Sequence, residues 1–284
     1  LDELGLEVST TTDELVEVLK AFRDKKPEGR TDVIPMTFII NNGDQDPGIL
    51  LGAFGEGDNR DHFLVTKDKK VIYSTVQEGY KEGISWLHSL QEEGLIDPEA
   101  FTQDWATYVS KGNNGRYGMF FTWDAANIVT NPEDYIALPA LAGPNGNVNV
   151  PRSNGAGIDI GRCVITTANK NLELTAKWID ELYDPLQSVQ DNWGTYGDEE
   201  HQNVFELKED GSLAHLPLGD TSPWEVRVNQ NVGGPLAVLN EYYGNYTTCP
   251  DDAQERLNIL HETYVKDMKA EYNYPVLLMT QEDI

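Results

Sequence analysis

The apolar positions along the chain follow helical spacing in some stretches and form short continuous runs in others. Leu15, Val18, Leu19 and Phe22 recur at i, i+3, i+4 and i+7, which predicts an amphipathic helix. Thr11 with Glu14 three residues on forms a capping box at its start, and the run Lys25-Lys26-Pro27-Glu28-Gly29 ends it. Residues 34–40 predict a strand, and residues 41–61, rich in Gly, Asn and Asp, predict a loop. Residues 71–74 predict a short strand. A second helix is predicted over 78–93, with Tyr80, Ile84, Leu87 and Leu90 on one face and Gly94 as its stop. Asp97-Pro98 predicts the start of a third helix carrying Phe101, Trp105 and Tyr108. After the turn signal Gly-Asn-Asn-Gly at 112–115, the aromatic run 117–121 predicts a buried strand.

Further along, residues 135–138 predict a strand ended by Pro139, and 142–157 predict a glycine- and proline-rich crossing segment. Residues 162–166 predict another strand. Leu172, Ala176, Ile179 and Tyr183 form a helical stripe with Asn171 as its cap. The polar, aromatic stretch 192–200 predicts a loop. The runs 204–207 and 213–216 flank Glu209-Asp210-Gly211, a hairpin signal. Residues 223–246 are unusually aromatic, and Ala253, Leu257, Leu260, Tyr264 and Met268 mark a last helix. Strands mixed with helices predict an α/β or mixed α+β class.

Composition narrows the partners. Among 284 residues, 48 are acidic and 21 basic, a formal net charge of −27. That balance disfavours nucleic acid and anionic membrane surfaces, which are met by cationic patches. No run of eighteen apolar residues is present to span a bilayer. The opening Leu-Asp-Glu-Leu-Gly-Leu reads as mid-protein sequence with no signal peptide, which predicts a mature fragment or an excised domain. Cys163, in the apolar run Cys-Val-Ile, is expected to be a buried thiol; pairing with Cys249 stays open, and neither has the spacing of a metal site.

The candidate chemistry is that of carbohydrate recognition. Trp123, Asp124 and Asn127 directly follow the 117–121 strand, and in open α/β sheets ligands bind just beyond the carboxyl ends of strands. A flat apolar ring beside a carboxylate and an amide matches a pyranose, which has a C–H face and a rim of hydroxyls. The same indole equally fits a cap on the core. Two further loops hold the same mixture: Asp191, Asn192, Trp193 and Tyr196; and Trp224, Glu225, Arg227, Asn229 and Gln230 with Tyr242 and Tyr243. Trp193 also fits packing on the preceding helix. Arg152, in the crossing segment, is a further candidate for a hydroxyl or carboxylate. Paired acids such as Asp124 with Glu225, or Asp198 with Glu199, permit a glycoside hydrolase or lyase as the alternative, although in so acidic a chain some pair is always at hand. No nucleophile elbow or phosphate-cradling glycine loop is present. Asp44, Asp46, Asp58 and Asp61 read as an ordinary acidic loop rather than a metal site.

Taken in order, several pieces resemble the extracellular solute-binding proteins of ABC transporters, in particular the Gram-positive lipoprotein subgroup that handles oligosaccharides. They are Leu4-Gly5-Leu6 before Thr12-Asp13-Glu14-Leu15, Glu93-Gly94-Leu95-Ile96-Asp97-Pro98-Glu99, Gly115-Arg116-Tyr117-Gly118-Met119, Ala168 to Asn171 running into Ala176 to Asp180, and Asn192-Trp193-Gly194. The resemblance implies an α/β, periplasmic-binding-protein-like type II fold, mainly the C-terminal lobe plus the returning part of the N-terminal lobe. Its expected divisions are 1–141, 142–200 and 201–284. It implies an extracellular oligosaccharide ligand, permease subunits as partners, no catalysis and no cofactor. It implies surface anchoring of a Gram-positive type through a lipid in an upstream region this sequence lacks. It places a stacking aromatic at Trp123 and another in the segment of Trp224. Relatives often carry a calcium-loop-like insert after the first helix; here residues 24–32 read as too short and too basic for the six or more oxygens of calcium, so no metal site is expected.

Overall fold

In the computed structural model the described residues are 1–25, 29–40, 45–55, 58, 62–65, 70–150, 163–197, 199–200, 202–219, 244–249 and 251–267. The chain divides into two compact units, Leu1–Ile158 with Asn258–Ile284, and Asp159–Leu257.

In the first unit, helix α1 (Thr12–Lys25) begins at the expected capping box. The Glu14 amide donates to the Thr11 hydroxyl (3.1 Å), and the Glu14 carboxylate accepts from the amides of Thr10 (2.7 Å) and Thr11 (3.2 Å). These donors hold the Glu14 carboxyl below its usual range, the Thr10 amide foremost. Strand β1 (Ile34–Met36) runs parallel to β4 (Tyr117–Met119), with Ile34 opposite Tyr117 and Met36 opposite Met119. The pair packs on α1 so closely that a Cβ at Gly118 would lie 2.4 Å from the Phe22 ring and 2.9 Å from the Pro35 carbonyl oxygen. Only glycine fits there. Between them lie β2 (Phe63–Val65) and β3 (Val71–Tyr73), an antiparallel pair, then α2 (Glu78–Glu92) and α3 (Trp105–Asn113). Gly94, at φ 70°, ends the α2 region as expected.

Several boundaries differ from expectation. The 34–40 strand ladder stops at Met36, because the Ile39 amide turns to the Gln45 carbonyl. The 41–61 loop contains a 3-10 helix, Pro47–Phe54, capped by the Asp46 carboxylate on the Gly48 amide (2.8 Å) and burying Leu50, Leu51 and Phe54. The third helix starts at Trp105, capped by Asp104 on the Thr107 amide (2.8 Å), and not at Asp97. Residues 135–138 form no strand; the Tyr135 hydroxyl instead donates to the Tyr117 carbonyl (2.9 Å).

Asp97 caps only a turn: its Oδ1 accepts from the Glu99 amide (3.0 Å), while its Oδ2 turns inward. Lys111, 7% exposed, points its ammonium into the same place and meets three acceptors: Asp97 Oδ2 (2.7 Å), Glu99 Oε2 (2.6 Å) and Gln103 Oε1 (3.0 Å). Three N–H donors for three acceptors leave the ammonium fully satisfied. The Thr37 hydroxyl donates to Asp97 Oδ2 (3.0 Å) and accepts from Gln103 Nε2 (2.9 Å), which also donates to the Phe38 carbonyl (2.8 Å). The network joins β1, the 97–103 turn and α3 behind a core that includes Leu19, Met36, Phe38, Leu90 and Leu95.

The second unit holds α4 (Leu172–Glu181), α5 (Pro185–Trp193) and the hairpin β5 (Phe205–Leu207) and β6 (Leu213–His215). The hairpin pairs antiparallel as expected, with Gly211 at φ 84° in its turn. Its small core is Val189, Val204, Phe205 and Leu213 with Leu186, Trp193 and Leu218 around it. The expected 192–200 loop overlaps α5, which Asp184 caps on the Leu186 and Gln187 amides (3.0 and 3.1 Å). The stripe expected on α4 is not covered: α4 has no buried residue, and Trp178 is 57% exposed. Residues 163–166 form no strand among the described residues, and the Cys163 thiol is exposed rather than buried, with no disulfide to Cys249. A last helix, α6 (Asp251–Ile259), continues as a π-helical turn Leu260–Tyr264 that is itself part of the first unit, where the Tyr264 hydroxyl donates to the Leu138 carbonyl (2.9 Å). Among the described residues no helix is long and apolar enough to cross a membrane.

Lys111→Met is expected to leave the Asp97 carboxylate buried without its cation and to lower the stability of the first unit by about 3–5 kcal/mol. A urea titration followed by circular dichroism checks this as a lower midpoint at unchanged slope.

Candidate carbohydrate site

The chain leaves β4 through Phe120 and Phe121 and is then held in place before it reaches Trp123. The Tyr108 hydroxyl, from the buried face of α3, donates to the Phe121 carbonyl (2.8 Å) and accepts from the Phe121 amide (3.0 Å). Tyr117 in β4 returns the favour to α3, its hydroxyl donating to the Tyr108 carbonyl (2.8 Å). One side chain thus satisfies both backbone groups of Phe121, the work a neighbouring strand would otherwise do.

Beyond that clamp the loop is organised by its own polar side chains. The Thr122 hydroxyl donates to the Asp124 carbonyl (3.0 Å) and accepts from the Asp124 amide (3.3 Å). Asp124 then caps a short 3-10 turn, Ala125–Asn127, accepting from the Ala126 amide (2.9 Å). Ile128 and Val129 bury themselves directly afterwards, anchoring the loop's far end. Between two fixed ends the Trp123 side chain stands 56% exposed, beside a partly exposed Asp124 and an exposed Asn127. The indole is therefore not a cap on the core. Two more aromatic side chains of this unit, Phe101 and Trp105, are about half exposed, packed edge-on to Phe38 (5.2 Å) and tilted on Tyr108 (6.3 Å).

The second candidate loop is built differently. Asn192 is only 4% exposed, and Trp193 packs against the small core and edge-on to His215 (5.9 Å). Asp191 receives the Gln187 amide (2.8 Å), and Tyr196 is exposed. Of the three groups, the structure therefore gathers Trp123, Asp124 and Asn127 on one open turn and gives Asn192 and Trp193 packing neighbours. Arg152, Trp224, Glu225, Arg227 and Tyr242 lie outside the described residues, as do Asp44 and Asp61. Asp46 and Asp58 are both buried; Asp58 accepts from the Ser74 hydroxyl and sits 2.9 Å from His62 Nδ1. Among the described residues no group of three or more His, Cys, Asp or Glu is arranged to hold a metal ion. Sequence reasoning missed Tyr108 as a positioning residue, since its helical spacing marked it only as core.

No family model matches the sequence. The chain is 52% identical, over all of its length, to the fructooligosaccharide ABC transporter substrate-binding protein FusA of Streptococcus pneumoniae, of which it covers 53%. It is 27% identical over 239 residues to the lipoprotein LipO of Bacillus subtilis, covering 45% of that protein. Over its whole length the chain is thus similar to part of an ABC transporter substrate-binding protein. Structures of FusA, as an EF-hand mutant with fructo-nystose and with kestose, superpose on the whole chain with TM-scores of 0.87 and 0.86, and the chain covers 58% of each. The alginate-binding protein AlgQ2, in a structure without calcium ion, shares the fold at 19% identity and a TM-score of 0.65. The chain has the α/β, periplasmic-binding-protein-like type II fold, and it spans about half the length of the curated relatives it matches.

Removing the clamp tests the geometry. Tyr108→Phe is expected to leave the Phe121 amide and carbonyl short of a partner, costing about 1–3 kcal/mol and raising hydrogen exchange at Phe121 while α3 stays protected. Burial, foremost, pushes the Tyr108 and Tyr117 phenols well above their ordinary range. Both stay protonated in the folded chain above pH of about 10, where they ionise on unfolding. Their contribution to stability is complete below that pH and is expected to be lost as pH rises beyond it, measurable as a falling urea midpoint with loss of native-state phenol protection at 295 nm.

Proposed function

We propose that the chain forms part of a protein that captures an extracellular oligosaccharide and hands it to the permease of an ABC transporter, without chemistry of its own. The observation that carries this reading is the half-exposed indole of Trp123, on a turn whose backbone is hydrogen-bonded on either side of it, flanked by Asp124 and Asn127. An aromatic face that is fixed before the ligand arrives loses little conformational entropy on binding, and stacking a sugar ring buries apolar surface at about 25 cal/mol per Å². The likeness, over the whole of this chain, to about half of a substrate-binding protein named for fructooligosaccharides points to fructose-containing chains as the solute class.

In this reading Asp124 and Asn127 bond sugar hydroxyls at the rim of the Trp123 platform. Tyr196, with Trp224, Glu225, Arg227, Arg152 and Tyr242, remains a second-tier contact set proposed from sequence, and Asn192 and Trp193 are proposed to support it by packing. The protein is proposed to act outside the cell, held there by a lipid anchor beyond this chain. Acid-pair hydrolysis is the competing reading.

Isothermal titration of kestose and nystose into the chain carried in its complete protein is expected to show binding with no sugar released on prolonged incubation. Trp123→Ala is expected to weaken that binding about ten- to a hundred-fold, or roughly 1.4–3 kcal/mol, with an unchanged circular dichroism spectrum. Equal affinity in the variant would remove Trp123 from the site, and turnover abolished by Asp124→Asn would establish the hydrolase instead.

A further inference from the structure

The pneumococcal relative has been solved as an EF-hand mutant, so a cation loop belongs to a protein 52% identical to this one. An EF-hand loop runs twelve residues, with ligands at the first, third, fifth, seventh, ninth and twelfth positions and glycine at the sixth. Of all the aspartates in this sequence, only Asp24 has glycine five residues on, Gly29. Gly29 sits at φ 70°, the left-handed conformation for which a tight turn takes glycine. The connection between α1 and β1 therefore has the frame of such a loop, with Asp24 first, Asp32 ninth and Pro35 twelfth.

The donor set does not fit a divalent cation. Lys26 occupies the third position, where an oxygen is required, and Pro35 at the twelfth has no carboxylate to bind in bidentate fashion. Glu28 keeps a carboxylate at the fifth position, but the two aspartates that keep the first and ninth are already engaged. Arg23 grips Asp24 with two parallel bonds, Nε to Oδ1 (2.7 Å) and Nη2 to Oδ2 (2.8 Å). Arg30 reaches both oxygens of Asp32 (3.3 and 3.4 Å), and Arg116 Nε lies 3.5 Å from Asp32 Oδ2 and donates to its backbone carbonyl (3.2 Å). These guanidinium bonds, Arg23 on Asp24 and Arg30 on Asp32, hold both carboxyls below the ordinary carboxylate range.

The same guanidiniums cross-link the loop to its surroundings. Arg23 Nη1 donates to the Glu93 carbonyl at the end of α2 (2.6 Å), and Arg30 Nη2 donates to the Asn114 carbonyl at the end of α3 (2.7 Å). Each meets a helix C-terminus, where the helix dipole favours a cation. We infer that this connection is a cation loop in which arginine has taken the place of the metal: Arg23, Arg30 and Arg116 neutralise the remaining aspartates and tie the loop to two helix ends, so the chain folds without calcium.

Scanning calorimetry of the 284-residue chain in excess chelator and in millimolar calcium chloride is expected to give the same Tm, with no calcium binding by titration. Arg30→Met is expected to lower Tm by about 2–4 °C equally in both buffers. A saturable rise of the parent's Tm with calcium overturns the inference. So does an Arg30→Met variant whose Tm is unchanged, which would show that the guanidinium organises nothing.

Discussion

An ammonium in the core is costly to bury and costly to abandon, and the first unit is arranged around one. Lys111 reaches its place only if Asp97, Glu99 and Gln103 arrive from the preceding turn and Thr37 from the end of β1. Burial of a charge in low dielectric would otherwise destabilise the fold by several kcal/mol. The requirement couples three segments far apart in sequence, and every member of the network has a partner. Such a network specifies one arrangement of the strand ends more sharply than apolar packing alone would.

That fixed arrangement also orders the backbone leading into the open turn after β4. β4 is registered against β1, α3 is fixed through Lys111, and Tyr108 on α3 then grips Phe121 at both its amide and its carbonyl. From the ammonium to the indole the chain of constraint is short and made of buried hydrogen bonds. The exposed Trp123 and the hydrogen-bonded backbone on either side of it belong to this one turn.

The strongly acidic surface is consistent with this economy of cations. With 21 basic residues against 48 acidic ones, a lysine or arginine is a scarce resource, and several of those described are placed at structural junctions. Lys111 sits inside, Arg23 and Arg30 sit on helix C-termini, and Arg116, just before β4, bonds Asp32 two residues ahead of β1. Each carries a positive charge to a point where backbone carbonyls and carboxylates converge.

Local chemistry was legible from the sequence wherever it acts within a few residues. The capping box of α1, the glycine stop after α2, the β5–β6 hairpin and the strand before Trp123 were all read from spacing, because each is decided by nearest neighbours along the chain. The order of its motifs also carried the resemblance, and with it the fold. What only the tertiary structure decided depended on partners distant in sequence: that Asp97 turns inward to Lys111 and α3 starts at Trp105, that Trp193 packs against the hairpin while Trp123 stands open, and that Tyr108 is a clamp and not merely core. A side chain's periodicity states which face it occupies. Whether that face meets water, an ammonium or a backbone carbonyl is set by segments that periodicity does not see.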